Sequence, residues 1–378
     1  MSDRGGIRGV PPQSAVPAAA PAAGRPTSSV SWRRGDSAAV TVPEPHHRLA
    51  RPRGVAAPYR PDLTLGGTAL DGVDHGDSAG WSRSGWRQVI HRVTGIDLGP
   101  GKDARYEQGL RERIATPVGG VFPIAVLNFK GGVGKTAVVE ALGSTFAEAR
   151  GDRVIAVDID TGDLAERHGR RNPLSLVDLV ARNAVTQYSE IRAHTHMNSF
   201  GLEVLGLPDY AHTGWRLERR DFAKVFSILR NHYSVMLVDC VKAINSALME
   251  AVLPEARALV VVTGTSIDAV RKTDTTLEWL CNNGYRHLMR STVLAMNHTE
   301  PAKADGVVTK EFESMAARVA TAVVLPFDRH VHAGRELGLD RLSKESRRGY
   351  LELAAALGDL AAGRSVGDAA ASRPAHIP

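Results

Sequence analysis

From Val121 onward the chain alternates short, nearly continuous apolar runs with longer stretches in which apolar residues recur every three or four positions. Aliphatic runs that show no polar face predict strands buried on both sides. They fall at Phe122–Asn128, Arg153–Asp158, Leu202–Leu207, Val235–Asp239, Ala258–Thr263, Thr292–Asn297 and Ala322–Pro326. The intervening periodicity predicts helices at 134–149, 174–182, 217–231, 247–256, 267–282, 309–319 and 344–361. Strand and helix in alternation predict an α/β fold, a mostly parallel twisted sheet with helices on both faces. No internal repeat of roughly 20–50 residues is visible.

Upstream, Trp86, Val89, Ile90 and Val93 fall on one helical stripe, with Gly95 as a stop. Asp103 is a candidate cap for a second helix carrying Tyr106, Leu110 and Ile114 on one face. Pro117 and Gly119-Gly120 then break it. Such a pair is too small to stand alone and is expected to pack on the domain that follows. Half of the twenty prolines have passed by Pro61, among Ala, Gly and Ser runs. That composition cannot bury enough apolar surface to offset the entropy of ordering. The expected organisation is a disordered basic Pro/Ala-rich arm (1–80), a helical extension (81–117), an α/β domain (118–363) and a disordered tail (364–378).

Over the 378 residues, 43% are apolar and 23% charged, as in a soluble globular protein, while 5% aromatics imply an aliphatic core. No apolar run approaches the ~18 residues that cross a bilayer, and the start lacks the apolar core of a secretory signal. A cytoplasmic protein without an integral membrane segment is expected. Cys240 and Cys281, each among apolar residues, read as two buried thiols in a reducing compartment. The net charge of +6 is misleading as a whole-chain figure. Residues 1–60 hold nine arginines against three acids, which accounts for all of it. The α/β part is neutral, so the basic balance makes no case for a nucleic-acid-binding core.

The strongest chemical signal is the run from Phe122 through Lys130-Gly131-Gly132-Val133-Gly134-Lys135-Thr136 into Ala-Val-Val-Glu-Ala-Leu, a strand, a glycine-rich turn and a helix start. Glycines let the backbone curl until successive amides point into one anion-sized space, to which the helix start adds its own amides and dipole. Lys135 can reach the β and γ phosphates of a nucleotide, and Thr136 can place its hydroxyl on Mg²⁺. The ordinary phosphate-loop spacing fails, because Phe129 stands where its first glycine belongs. A second lysine, Lys130, opens the loop instead.

That lysine-flanked run resembles the deviant Walker motif of the MinD/ParA ATPases, a SIMIBI-type branch of the P-loop NTPases. The resemblance implies that Lys130 crosses a dimer interface to the partner's phosphates, so that ATP binding and homodimerisation are one event. It makes Lys130, Lys135 and Asp160 the catalytic candidates, and Lys130, Gly131, Gly132, Val133, Gly134, Lys135 and Thr136 the phosphate contacts. Asp158-Ile-Asp160-Thr-Gly-Asp163 resembles switch I. There Asp160 would orient the attacking water and Asp158 would fix the loop or the Mg²⁺ shell; an acidic turn that only caps structure is the bland alternative. Tyr233 to Asp239 resembles a Walker B strand, whose Asp239 would hold Mg²⁺ through water. Asn297 resembles the strand-end residue that pairs with adenine, and the Leu-Pro326-Phe-Asp328 segment the one that lines the base.

One stretch departs from the family. A glycine normally follows the Walker B acid and offers its amide to the γ phosphate, but here the order is Asp239-Cys-Val-Lys242-Ala-Ile-Asn. Lys242 either adds a cation to the phosphates or points into solvent. The departure implies tight nucleotide binding with low or partner-stimulated ATP hydrolysis.

Candidate outputs differ. The last helix carries Leu353, Leu357 and Leu360 on one stripe and Glu352 and Asp359 among its polar residues, which suits core packing better than an anionic membrane. Residues 329–348 hold six basic residues against three acids, a modest patch for ParA-like DNA binding. The Trp86 helix, the second helix and the Lys-Gly-Gly loop together resemble EspI-type ATPases of type VII (ESX) secretion loci. This implies a cytosolic ATPase that assists or regulates a secretion apparatus and is recruited to its membrane-bound complex. A DNA partition ATPase and a nucleotide-gated scaffold that barely hydrolyses ATP are the alternatives. His194-x-His196 and His330-x-His332 lack the further ligands of a metal site. Trp215, beside Arg216, Arg219 and Arg220, reads as partner surface or an exposed helix start.

Overall fold

A computed structural model describes residues 101–364 apart from 183 and 303. The arm expected at 1–80, the helix around Trp86 and the tail beyond 364 lie outside the described residues. The chain runs α1 (Lys102–Ile114), β1 (Phe122–Leu127), α2 (Lys135–Arg150), β2 (Val154–Asp158), α3 (Asp163–Arg167), α4 (Leu176–Ala181), α5 (Tyr188–Arg192), β3 (His196–Met197) and β4 (Leu202–Leu205). It continues through α6 (Arg219–Leu229), β5 (Val235–Asp239), α7 (Met249–Val252), β6 (Ala258–Thr263), α8 (Ile267–Asn282), β7 (Thr292–Asn297), α9 (Gly306–Ala316), β8 (Thr321–Leu325), α10 (Arg329–His332) and α11 (Lys344–Ala361).

The strands form one eight-stranded sheet in the order β3-β4-β2-β5-β1-β6-β7-β8. Every pairing is parallel except β3 with β4. The period-two rule of a strand divides the aliphatic runs between two cores. Val154 and Ala156, Val235 and Leu237, and Val260 and Val262 face one side, where α1, α2 and α11 pack. Ile155 and Val157, Met236 and Val238, and Leu259 and Val261 face the other, covered by α4 to α9. Both faces of the central strands are therefore buried, which explains why their sequences carry no polar alternation, while edge strand β8 leaves Val324 exposed.

The helix expected around Tyr106 joins the first of these cores through Leu110 and Ile114. It lies so close to α11 that a β-carbon at Gly358 would stand 2.7 Å from the Arg113 carbonyl oxygen. The acids of α11 that seemed unsuited to a membrane face α1 instead: Tyr106 donates to Glu352 at 2.9 Å, and Arg113 Nε to Asp359 at 3.0 Å.

Several sequence expectations change. Asp103 does not cap α1; Gly101 is the N-cap, and the Asp103 carboxylate pairs across to Lys344 at 3.2 Å and Arg348 at 3.3 Å. The helix expected at 309–319 starts earlier, because Asp305 accepts the Val307 amide hydrogen and caps it. The 247–256 helix shortens to Met249–Val252. The two-residue β3 and the short helices α3, α5 and α10 carry too few residues for any periodicity to register. Of the two free thiols, Cys240 is buried and Cys281 only partly so. No helix among the described residues is long and apolar enough to cross a membrane.

Candidate functional site

Parallel register brings the acids together. Asp158 and Asp239, the last residues of β2 and β5, are direct partners, and Asp239 is also level with Val126 of β1. The glycine-rich loop leaves β1 just beyond that point, at the carboxyl ends of the strands, where open α/β sheets bind ligands.

The loop is fastened at both ends by asparagines. Asn128, fully buried, donates to Val262 O at 2.5 Å and Thr273 Oγ1 at 2.7 Å, while its Oδ1 accepts the Lys130 amide at 2.9 Å. Asn297 donates to Val133 O at 2.9 Å. Between them Gly132 and Gly134 adopt φ of 79° and 88°, a left-handed geometry that side chains resist. Gly134 leads into α2 without a side-chain cap, so the first-turn amides are left for an anion.

Lys135, 6% exposed, sits with its ammonium 3.9 Å from Asp160 Oδ2. Both line a cavity of about 550 Å³ together with Gly132, Gly134, Thr136 and Lys242. Burial raises the Asp160 pKa, and the nearby Lys135 and Lys242 ammoniums oppose the rise. Asp158 is occupied by the switch-like loop. Its oxygens accept amide hydrogens from Asp160 at 3.1 Å, Gly162 at 3.4 Å and Leu164 at 3.0 Å.

Asp239 is different. It is 1% exposed, and neither carboxylate oxygen has a hydrogen bond of proper geometry. Burial, then the adjacent Asp158 carboxylate, push its pKa up to about 8; Thr136 and Lys135 lie near enough to pull the other way without satisfying it. A buried carboxylate without a donor, next to a hydroxyl at the mouth of an anion-binding loop, fits a hydrated hard cation such as Mg²⁺.

The remaining candidates are placed apart. Lys130 stands 40% exposed at the loop mouth, with Nζ 2.7 Å from Asp268 Oδ2 at the start of α8. Pro326 packs near Gly349 of α11. The two histidines of each His-x-His pair turn to different partners. His194 contacts Glu190 O of the preceding α5, His330 accepts the Gly338 amide, and His332 faces Thr299 O. His196 turns instead towards His168 and Glu336, and Arg171 reaches both His196 at 3.2 Å and Glu336 at 2.5 Å. Trp215 is partly buried against the second core, and Arg219 and Arg220 pair with Glu250 and Glu218.

Sequence reasoning passed over Glu140. Buried within α2, it accepts the Leu337 amide at 2.7 Å and pairs with Arg167 at 3.4 Å and His168 at 3.3 Å. Burial raises its pKa to about 7 and lowers that of His168 to about 4. An acid in an otherwise apolar helical stretch was the available signal. Asn128 was overlooked as well, because a strand-end asparagine looks like an ordinary turn residue.

Residues 124–357 match the model of the CobQ/CobB/MinD/ParA nucleotide binding domain. The chain belongs to this family. Among solved structures, the family member resembles a ParA family ATPase from Chlorobium tepidum with a TM-score of 0.53, at 19% identity over 62% of this chain and 98% of that one. It also resembles the MinD cell division ATPase of Pyrococcus furiosus, with a TM-score of 0.50, at 21% identity over 63% and 99%. MinD from Pyrococcus horikoshii, solved with Mg-ADP, has a TM-score of 0.50 at 20% identity, covering 62% of this chain and 94% of that one. At these identities the likeness shows the fold. In sequence, this MinD/ParA-type chain is 38% identical over 283 residues to the ESX-1 secretion-associated protein EspI of Mycobacterium tuberculosis, matched in two strains. The match takes in 74% of this chain but spans only 42% of the length of those curated relatives.

Proposed function

We propose that this MinD/ParA-type chain binds ATP with Mg²⁺ at the 130–136 loop, dimerises on doing so, and acts as a nucleotide switch for a type VII secretion system. The carrying observation is Asp239, whose buried carboxylate lies beside Thr136 and Lys135 without a hydrogen bond of proper geometry. The loop amides and Lys135 would hold the β and γ phosphates, while Thr136, and Asp239 through water, would hold the metal. Asp158 would contribute by fixing the loop that carries Asp160, in keeping with its three amide contacts. When bound, Mg²⁺ supplies charge compensation for the phosphates. Asp160 would orient the attacking water, and Lys130 would reach the partner's phosphates once released from Asp268. Asn297 and Pro326 would border the base. Hydrolysis would be slow or partner-stimulated, since the segment after Asp239 lacks the glycine of related switches.

The P. horikoshii MinD with Mg-ADP supports the cofactor assignment, and the likeness to EspI supports the secretion role. DNA binding is less favoured. Of the basic residues at 329–348, Lys344 and Arg348 pair with Asp103, and Arg347 with Glu148. Calorimetry on the full chain tests the core of the reading: ATP uptake should require Mg²⁺ and vanish with Lys135→Ala. Pull-downs with the ATP-bound chain should recover secretion components in preference to DNA.

A further inference from the structure

We infer that Lys242 is a γ-phosphate-reading residue that makes this site prefer a nucleoside triphosphate over a diphosphate. The inference rests on the nucleotide reading above and adds a contact that the family's glycine-bearing switch does not supply.

The backbone dictates where this side chain goes. After β5 the Cys240 amide still donates to Val126 O at 3.1 Å, and Cys240 is fully buried. Two residues past Lys242, Ile244 is buried again, and its amide donates back to Lys242 O at 3.0 Å. Lys242 thus opens a short turn, with Ala243 at its apex, that is pinned on both sides, and its side chain lies along the phosphate loop. A β-carbon at Gly131 would stand 3.0 Å from Lys242 Cε and 3.3 Å from Nζ, so the lysine tip fills the space that Gly131 leaves open.

Charge and position select the terminal phosphate. Lys242 shares the cavity with Lys135, Thr136 and Asp160, and its ammonium favours the ionised form of Asp160. It lines the same cavity as Asp160, three residues on from Asp239, where the water and the metal would meet the γ phosphate. An ammonium there can make a hydrogen bond in which both partners are charged, whereas a glycine amide meets the phosphate with a neutral donor. A diphosphate lacks the terminal oxygens that such a contact would use. The residue is exposed, so an incoming ligand can reach it.

The test compares binding of a non-hydrolysable ATP analogue and of ADP, each with Mg²⁺, by calorimetry on the full chain. The variants are Lys242→Met, which keeps the aliphatic length, and Lys242→Arg, which keeps the charge. Lys242→Met should weaken the triphosphate analogue by roughly ten- to a hundredfold, the range for hydrogen bonds to charged groups, and leave ADP within about threefold. Lys242→Arg should recover most of the difference. Equal losses for both nucleotides would make Lys242 a general electrostatic contributor and overturn the inference, as would unchanged binding of both. If the parent protein takes up neither nucleotide, the reading of the whole site fails, and this inference with it.

Discussion

The side-chain amide of Asn297, at the end of β7, donates to the Val133 carbonyl across 2.9 Å and locks the phosphate loop to the sheet from below. The fit is so close that a β-carbon at Gly134 would come within 2.3 Å of Asn297 Nδ2, at a residue whose φ of 88° already disfavours a side chain. Gly134→Ala should therefore lower the melting temperature and abolish nucleotide binding. Adding Asn297→Ala removes the collision but leaves the backbone strain, about 1 kcal/mol. The double variant should melt above Gly134→Ala and below the parent; additive losses in a double-mutant cycle would refute the direct clash.

Of the buried acids held above the ordinary carboxylate range, Asp239 is raised furthest and governs the response to pH above 7, Glu140 and Asp158 adding to it below. Its pKa is held above the ordinary carboxylate value, so the folded state keeps a proton that the unfolded chain has given up. Stability from this group is complete below the unfolded value of 3.8 and is lost as pH rises towards about 8. His168, held low at about 4, contributes in the opposite direction, but mainly below pH 6.5. Between pH 7 and 8 the ligand-free protein should lose thermal stability as pH rises, and Asp239→Asn should flatten that slope. Mg²⁺ with nucleotide should protect the parent and not the variant. A parent melting curve independent of pH in this window contradicts the assignment.

Lys130 is engaged within its own chain by Asp268, whose carboxyl pKa is lowered chiefly by that contact. A lysine that must serve a second protomer has to leave this partner first. Asp268→Asn should shift ATP-dependent dimerisation to lower protein concentration in sedimentation velocity. Lys130→Ala should remove the dimer and weaken nucleotide uptake, leaving a monomer that still binds. Unchanged self-association in both variants would sever Lys130 from assembly.

The seam between α1 and α11 has no room to spare. Gly358→Ala would press a methyl group against the Arg113 carbonyl oxygen at 2.7 Å, a backbone atom that cannot swing away. A loss of about 1–3 kcal/mol in urea unfolding is expected, typical of overpacking. Glu352→Gln, which keeps an acceptor for the Tyr106 hydroxyl, should cost far less. If the two substitutions cost the same, the steric account of Gly358 is incorrect.

The sheet was legible because its strands are buried on both faces. A run such as Ala258–Thr263 has no polar position to hide its extent, and every strand longer than two residues was located to within a residue or two. The pairing of His196–Met197 with β4 was not legible, since two residues hold no period and the antiparallel contact is made through space. Lys135 and Thr136 stand out within the glycine-rich run because a phosphate loop is a local device, and Asp160 only through its resemblance to a switch; the structure puts all three on one cavity. The spacing did not reveal that Asp158 turns its oxygens to three amides of the next loop while Asp239 keeps both oxygens unbonded. The two acids look alike as strand-end residues, and only the loop that folds back over one of them makes them different.

Local chemistry along the chain determined the class of fold, the glycine curl of the loop and the order of the acids. Backbone preference and side-chain period act over a few residues and can be read there. Tertiary structure alone decided that Asn297 braces Val133, that Asp268 holds Lys130, and that Lys242 lies over Gly131. Each of these contacts joins segments far apart in sequence, and its geometry follows from parallel strand register and helix packing.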